Sequence, residues 1–133
     1  MTPEEFKWEI LADVVEEDYQ MLWEPLGWAR TQLPDWPDHD RQTLAERTLR
    51  ELLDGDLVYF FRVGAEPVNA AGENPDRRLS REHVEAALAT EDWRTMPVGA
   101  EGTSVWFGPT AEGEEVLADP PPHIRRYFEN RYG

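Results

Sequence analysis

The stretch "LAERTLRELLDGDLVYFFRV", residues 44–63, decides the fold because it predicts a helix, its end and a strand in direct succession. Apolar residues at helical spacing give the helix a buried face, and the helix begins at Asp38 or Asp40. Gly55 stands where a left-handed residue commonly ends a helix. The apolar run from Leu57 to Val63 then predicts a strand that is buried on both faces. The buried face of the helix consists of Leu44, Ala45, Leu49, Leu52 and Leu53.

The amino-terminal segment predicts a long amphipathic helix. Residues 2–5 (TPEE) supply a capping threonine, a proline suited to the first helical position and a glutamate that closes a capping box. Pro25 and Gly27 are expected to end this helix, and a short helix around 26–33 follows. The long helix has an apolar side with Phe6, Ile10, Leu11, Val14, Met21 and Leu22, and an acidic outer side with Glu5, Glu9, Asp13, Glu16 and Gln20.

The second half of the chain predicts a loop, a helix, a strand and a further helix. Residues 64–79 are rich in Gly, Pro and Asn, which is typical of a loop. Ser80 is expected to cap a shorter helix through Thr90, and a second strand fits residues 103–108. Thr110 can then cap one more helix before the prolines at 120–122.

Two stretches, "LAERTLRELLDGDLVYFF" and "VWFGPTAEGEEVL" at 105–117, resemble the winged helix-turn-helix of MarR-type regulators. The first is similar to their second motif helix and first wing strand. The second is similar to their last wing strand and the Thr-x-x-Gly turn that opens the next helix. The 39 residues between the two strands, 64–102, carry a helix that a simple wing lacks. A group of uncharacterised bacterial proteins is similar in having that helix and a following Trp, and for them the resemblance implies a fold and no activity.

The expected fold is therefore α+β and mostly helical. It is a winged-helix-like domain with a small antiparallel β element and an inserted helix between the strands. The domain spans residues 1–119. Residues 120–133 form a C-terminal tail that is led by prolines and carries basic and aromatic side chains.

The 133-residue chain is strongly acidic, with a formal net charge of -15. Residues 1–29 carry eight acids and one base, whereas residues 120–133 carry three arginines and one glutamate. A field of this sign repels phosphate backbones and favours basic partners. Cysteine is absent, which excludes disulfides and cysteine-bound metals. No apolar run reaches the length of a membrane span, and the acidic start differs from a signal peptide, so a cytoplasmic protein without a membrane partner is expected.

These features predict a non-enzymatic acidic binding module that engages a basic protein partner, as a regulator, an antitoxin or an immunity-type protein does. A homodimer is also compatible with them, and no cofactor is expected. Large aromatic residues beside an acidic face suit a protein interface. The residues predicted to bind the partner are Glu5, Glu9, Asp13, Glu16, Glu17, Trp28 and Trp36.

The alternative is a DNA-binding transcriptional regulator that uses the helix at 40–54 and the basic tail. Acids at the start of that helix and charge pairs four residues apart on its outer face favour a solvated, internally paired surface instead. The tail either docks onto the acidic first helix, of its own chain or of a dimer mate, or stays free to bind nucleic acid. The residues that would contact DNA are Thr43, Arg47, Arg50, Arg125, Arg126 and Arg131.

Catalytic and metal chemistry form a third, weaker hypothesis. Ser80 and His83 are three residues apart on a helix, but a third group that would orient the histidine is not indicated. The stretch "DWPDHD", residues 35–40, contains the metal-ligand types of Asp35, Asp38, His39 and Asp40. The same residues suit a proline-broken turn followed by a helix cap. No catalytic residue and no metal site are predicted.

Overall fold

A computed structural model describes residues 1–62, 78–94 and 105–133. Over these ranges the protein is α+β and mostly helical, with a small antiparallel sheet and a helix inserted between two of its strands, as predicted. The helices are α1 (Pro3–Glu17), α2 (Glu24–Gln32), α3 (Asp38–Asp54), α4 (Arg81–Leu88), α5 (Ala111–Ala118) and α6 (Pro122–Tyr132). The strands are β1 (Gln20–Met21), β2 (Val58–Arg62) and β3 (Val105–Pro109).

The sheet has the strand order β1-β3-β2, and both pairings are antiparallel. Phe60 of β2 and Phe107 of β3 are register partners, and their ring centroids lie 5.6 Å apart in the core. Both rings are fully buried, as is Leu49 of α3. The predicted burial of β2 on both faces is confirmed for its first four residues, whereas Arg62 is exposed.

The junction of α3, β2 and α5 depends on short-range hydrogen bonds. The hydroxyl of Thr110 accepts a hydrogen bond from Gly113 N at 2.9 Å and donates to the Asp56 carbonyl at 2.6 Å. A Cβ added at Gly113 would lie 2.2 Å from the Leu57 carbonyl oxygen, so only glycine allows this close approach. The Thr-x-x-Gly sequence thus binds the start of α5 to the start of β2. The left-handed residue after α3 is Asp56, with φ 57°, and not Gly55, with φ -80°, as the sequence suggested.

The first helix is shorter than predicted. It ends at Glu17 because Asp18 adopts a φ of 72°, and the chain then forms β1 against β3. Pro25 and Gly27 do not end this helix, since both lie inside α2. Pro25 occupies the first turn of α2, where its missing N–H leaves no hydrogen bond unmade. This early end brings α2 back beside α1 and creates the cleft between them.

The caps predicted for the later helices are confirmed. Ser80 accepts a hydrogen bond from His83 N at the start of α4, and Thr110 caps α5. Trp93 is buried, and its indole N–H donates to the Leu88 carbonyl at 3.1 Å. The predicted loop at 64–79 and the start of the second predicted strand, residues 103–104, lie for the most part outside the described residues.

The C-terminal tail is a helix that docks on the body, so the docked alternative describes the structure. Ile124 of α6 is 1% exposed, and Phe128 packs against the core. Tyr127 and Tyr132 both donate hydrogen bonds to Glu9 of α1, at 2.7 and 2.6 Å. Glu9 of α1 therefore holds the C-terminal helix α6 on the body of the protein.

Candidate functional site

The outer face of α3 is internally paired. Arg47 donates to Glu51 at 2.8 Å, and Arg50 forms a two-pronged contact with Glu85 of α4 at 2.9 to 3.1 Å. Arg50 also pairs with Glu46 at 3.5 Å. The hydrogen bonds between Arg50 and Glu85 raise the pKa of the arginine and lower the pKa of the glutamate. Glu85 of the inserted helix α4 therefore pairs with Arg50, one of the two arginines that a DNA-binding surface on α3 would use.

The amino-terminal end of α3 offers little to a phosphate backbone. Asp38 accepts hydrogen bonds from Arg30 at 3.0 and 3.2 Å, and this contact lowers the pKa of its carboxyl. The hydroxyl of Thr43 donates to the His39 carbonyl at 3.0 Å. Asp40 is exposed in the same first turn. The side chains of Asp38, Asp40 and Thr43 are thus acidic or already hydrogen-bonded.

The tail arginines are placed differently from one another. Arg125 pairs with Asp119 at 2.7 Å, and Arg131 lies 3.1 Å from the buried carboxylate of Glu9. Arg126 is exposed and forms no ion pair with any described residue. A groove of about 590 Å³ lies beside Arg126, with Trp8, the proline run and Glu129 among its walls. A single unpaired arginine beside an acid does not make a basic strip.

Glu9 is not part of an exposed acidic face. It is 1% exposed, because α6 covers it with two tyrosines and Arg131. Its predicted place on the outer side of α1 is therefore wrong. Gln20, placed on the same outer side, is only 4% exposed because it lies in β1.

The acids at the carboxyl end of α1 remain without a cation. We call Asp13, Glu16, Glu17 and Asp18 the acidic end. None of them forms an ion pair with a lysine, arginine or histidine in the ranges that the structure describes. Glu16, Glu17 and Asp18 are exposed, whereas Asp13 is half-buried. The last turn of α1 also contains no basic residue, so these charges oppose the helix dipole.

A cleft between α1 and α2 continues from the acidic end. This α1–α2 groove has a volume of about 310 Å³. Its chemically distinctive lining residues are Asp13, Glu17, Gln20, Trp23, Glu24 and Trp28. Glu24 accepts a hydrogen bond from Met21 N, and the Gln20 amide donates to Glu17 at 3.4 Å. The groove therefore combines three carboxylates with two indole rings.

The wall formed by α2 depends on Gly27. A Cβ added there would lie 2.5 Å from the Trp23 ring, so the absence of a side chain lets that ring lie against the helix. Trp28 packs on Phe6 with the ring centroids 5.4 Å apart. Both indoles are half-buried, and each packs against a neighbouring residue, Trp23 against Gly27 and Trp28 against Phe6.

The groove carries uncompensated negative charge. Burial, together with the charges of Glu9, Glu17, Glu16 and Glu24, raises the pKa of Asp13 to about 6. Burial and the charge of Glu17 also raise the pKa of Glu24, although its hydrogen bond from Met21 acts in the opposite direction. A bound cation would lower both pKa values, because it favours the ionised carboxylates.

The remaining predicted partner-binding residues lie elsewhere. Glu5 is engaged in the capping box, where its carboxylate accepts from Thr2 N at 2.8 Å. Trp36 is half-buried at the junction of α2 and α3 and packs against the core. Of the predicted set, Asp13, Glu17 and Trp28 meet in the α1–α2 groove, and Glu16 lies on the adjoining exposed surface.

Three groove residues were missed from the sequence: Gln20, Trp23 and Glu24. The sequence predicts that these three residues belong to the same continuous helix as Asp13. The groove forms only because the chain reverses between α1 and α2, which that prediction does not include. The signal that could have found them is the dense succession of two tryptophans and an acid around Pro25 and Gly27.

The candidates for chemistry have structural roles. The hydroxyl of Ser80 lies 2.7 Å from His83 Nδ1, yet the same oxygen caps α4. Within the described ranges, no three His, Asp or Glu residues come together as a metal site. In those ranges, too, none of the helices has the length and apolar character of a membrane span.

No protein-family model, curated protein or solved structure matches the chain significantly.

Proposed function

We propose that the protein is a non-enzymatic acidic binding module that engages a basic protein partner through the acidic end and the α1–α2 groove. The supporting observation is the distribution of charge. Of the arginines that would contact DNA under the alternative, Arg47, Arg50, Arg125 and Arg131 are paired with acids of the same chain. The acidic end has no such partner among the described residues.

The local geometry supports a macromolecular partner. Protein interfaces commonly have aromatic side chains at their centre and polar groups around them. The α1–α2 groove has this arrangement, with carboxylates at its rim and two indole rings in its wall. The acids of the last turn of α1 also oppose the helix dipole. A basic partner would remove this unfavourable interaction, whereas solvent only weakens it. A regulator, an antitoxin and an immunity-type protein would each fit a surface of this kind.

The experiment compares two charge reversals of equal size at different places. Glu16→Lys with Glu17→Lys changes the acidic end, and Glu114→Lys with Glu115→Lys changes exposed acids of α5. Binding of a labelled hexa-arginine peptide is followed by fluorescence anisotropy. The first variant should lose at least about tenfold in affinity and the second less than about threefold, since close charges act more strongly than distant, screened ones. Equal losses would mean that the peptide responds only to net charge, and the proposal would fail.

A DNA-binding regulator is the second candidate. The antiparallel pairing of β2 with β3 beside α3 supports it, because that is the arrangement that the winged-helix resemblance leads one to expect. It requires Arg47 and Arg50 to leave Glu51 and Glu85, and it predicts DNA binding that weakens steeply with salt. The charge of the acidic end opposes this role.

A further inference from the structure

The face between α1 and α2 already binds one guanidinium group, that of Arg131 from α6. Arg131 Nε lies 3.1 Å from the Glu9 carboxylate, and its Nη2 donates to Gln32 Oε1 at 2.7 Å. Its Cζ lies 5.7 Å from the centre of a Trp28 ring. The binding set thus consists of a carboxylate from α1, an amide oxygen and an indole from α2.

The same three kinds of group recur in the α1–α2 groove. Asp13 is one helical turn beyond Glu9, and residues four apart lie on one face of a helix. Gln20 supplies the amide oxygen, and Trp23 lines the wall with Trp28. Gln20 is only 4% exposed, and its Oε1 has no hydrogen-bond partner among the described residues. The buried indole N–H of Trp23, in the same groove, also lacks one there. An unpartnered acceptor in a groove of carboxylates calls for a ligand that donates hydrogen bonds.

The lining favours an organic cation over a metal ion. In the described part of the chain, the groove included, no three Asp, Glu or His side chains are grouped so that they could hold a metal ion. Indole rings attract organic cations through their faces, and a guanidinium is more weakly hydrated than an ammonium and presents several donors in one plane. Carboxylates are also the usual acceptors for its paired N–H groups.

We infer that the α1–α2 groove binds one arginine side chain of the partner, with Asp13, Glu17 and Glu24 as carboxylate acceptors and Gln20 Oε1 as an amide acceptor. This inference rests on the proposed function, whose broader surface it makes specific. The arrangement repeats, one turn along α1, the way in which Glu9 and Trp28 hold Arg131.

The test uses the tripeptide acetyl-Gly-Arg-Gly-amide and the matching citrulline tripeptide, which has a similar shape and no charge. Binding is followed in ¹H–¹⁵N spectra through the indole N–H signals, with the Trp23 signal assigned by Trp23→Phe. The arginine peptide should shift the Trp23 signal saturably, and the citrulline peptide should not. Asp13→Asn should weaken this binding at least about fivefold, whereas Glu115→Gln on exposed α5 should leave it unchanged within about twofold. A lysine tripeptide should bind more weakly than the arginine tripeptide.

A Trp23 signal that does not shift, or equal weakening by Asp13→Asn and Glu115→Gln, would overturn the inference, as would lysine binding as tightly as arginine. Circular dichroism and thermal melts establish that each variant is folded. If hexa-arginine still distinguishes the two charge-reversed variants while the tripeptide leaves Trp23 unaffected, the groove inference fails and the proposed function stands. If hexa-arginine does not distinguish them either, both fail.

Discussion

The hydroxyl of Tyr127 in α6 donates a 2.7 Å hydrogen bond to the carboxylate of Glu9 in α1, across 118 residues of sequence. Burial, followed by this hydrogen bond, raises the pKa of Tyr127 above its usual range, so the phenol stays protonated and remains a donor. The carboxylate at the other end is 1% exposed. This contact, with Arg131 beside it, holds α6 on the body and pairs the charge of Arg131 with the Glu9 carboxylate.

Loss of Arg131 should destabilise the protein because it leaves the Glu9 carboxylate buried without its cation. We expect Arg131→Met to lower the free energy of unfolding by about 2 kcal/mol, less than for a fully buried pair because the arginine side chain is 31% exposed. Urea denaturation measures the change. The double variant Glu9→Gln with Arg131→Met should recover at least half of the loss, and no recovery would contradict the paired arrangement. Arg125→Met, at an exposed pair, is the matched control and should change stability by less than about 0.5 kcal/mol.

Gly113→Ala should be among the most damaging single-methyl changes in the chain. The added Cβ would meet the Leu57 carbonyl oxygen at 2.2 Å, and the three atoms nearest to it are all backbone atoms of Leu57, which cannot rotate away as a side chain can. A loss of about 3 kcal/mol is expected from thermal or urea unfolding, in the range of overpacked sites. Ala118→Gly removes a methyl group from the exposed last position of the same helix, α5. It should lower the free energy of unfolding by less than about 1 kcal/mol. Similar small losses for both variants would show that the close approach is not required.

Asp13→Asn should stabilise the protein at neutral pH and not in acid. The pKa of Asp13 is raised to about 6 in the folded state, from a usual value of 3.8. The folded state therefore holds its proton more tightly than the unfolded chain, and stability falls as the pH rises from about 4 to about 6. The variant lacks this penalty, so its melting temperature should exceed that of the wild type by on the order of 3 °C at pH 7.5. The two proteins should melt together near pH 4, and a gain that does not depend on pH would contradict the assignment.

The contact between Arg50 and Glu85 should contribute only modestly to the stability of the folded protein, and this contribution should depend on pH. The pKa of Glu85 is lowered in the folded state, so its stabilising effect is present above the unfolded pKa and is lost as the pH falls through the folded value. A double-mutant cycle with Arg50→Met and Glu85→Gln should give a coupling of about 0.5 kcal/mol at pH 7, because both side chains are at least a third exposed. The coupling should weaken as the pH falls below 4.5, the usual value for a glutamate, and vanish once Glu85 is protonated. A coupling that does not change with pH would mean that packing, not charge, joins α3 to α4.

The features that the sequence predicted correctly are those set by neighbours in the chain. The caps at Thr2, Ser80 and Thr110 act within three residues, and the apolar face of α3 follows a local period. The end of α1 was missed because β1 forms only where Gln20 meets Phe107, far along the chain. The burial of Glu9 was missed for the same reason, since the helix that covers it lies at the opposite terminus.

The candidate site was predicted in part. Composition and period indicate Asp13, Glu16, Glu17 and Trp28, and these four do meet at one surface. Glu5 and Glu9, predicted with them, lie elsewhere. The grouping of Asp13, Glu17 and Trp28 with Gln20, Trp23 and Glu24 depends on the reversal of the chain between α1 and α2. That reversal requires Asp18 at a φ of 72°, a backbone state that an aspartate adopts only occasionally. A periodic pattern contains no information on such a residue.

The proposed function requires the free negative charge of this protein to face a basic protein and not nucleic acid. The most direct measurement is fluorescence anisotropy of a labelled mixed-sequence DNA duplex and of a labelled hexa-arginine peptide, each titrated with the protein at about 50 mM and about 200 mM salt. We expect the protein to bind the peptide and not to bind the duplex at either salt concentration. Duplex binding at the lower salt that collapses at the higher salt would contradict the proposed function, because the arginines of α3 and α6 would then have left their acidic partners for phosphate.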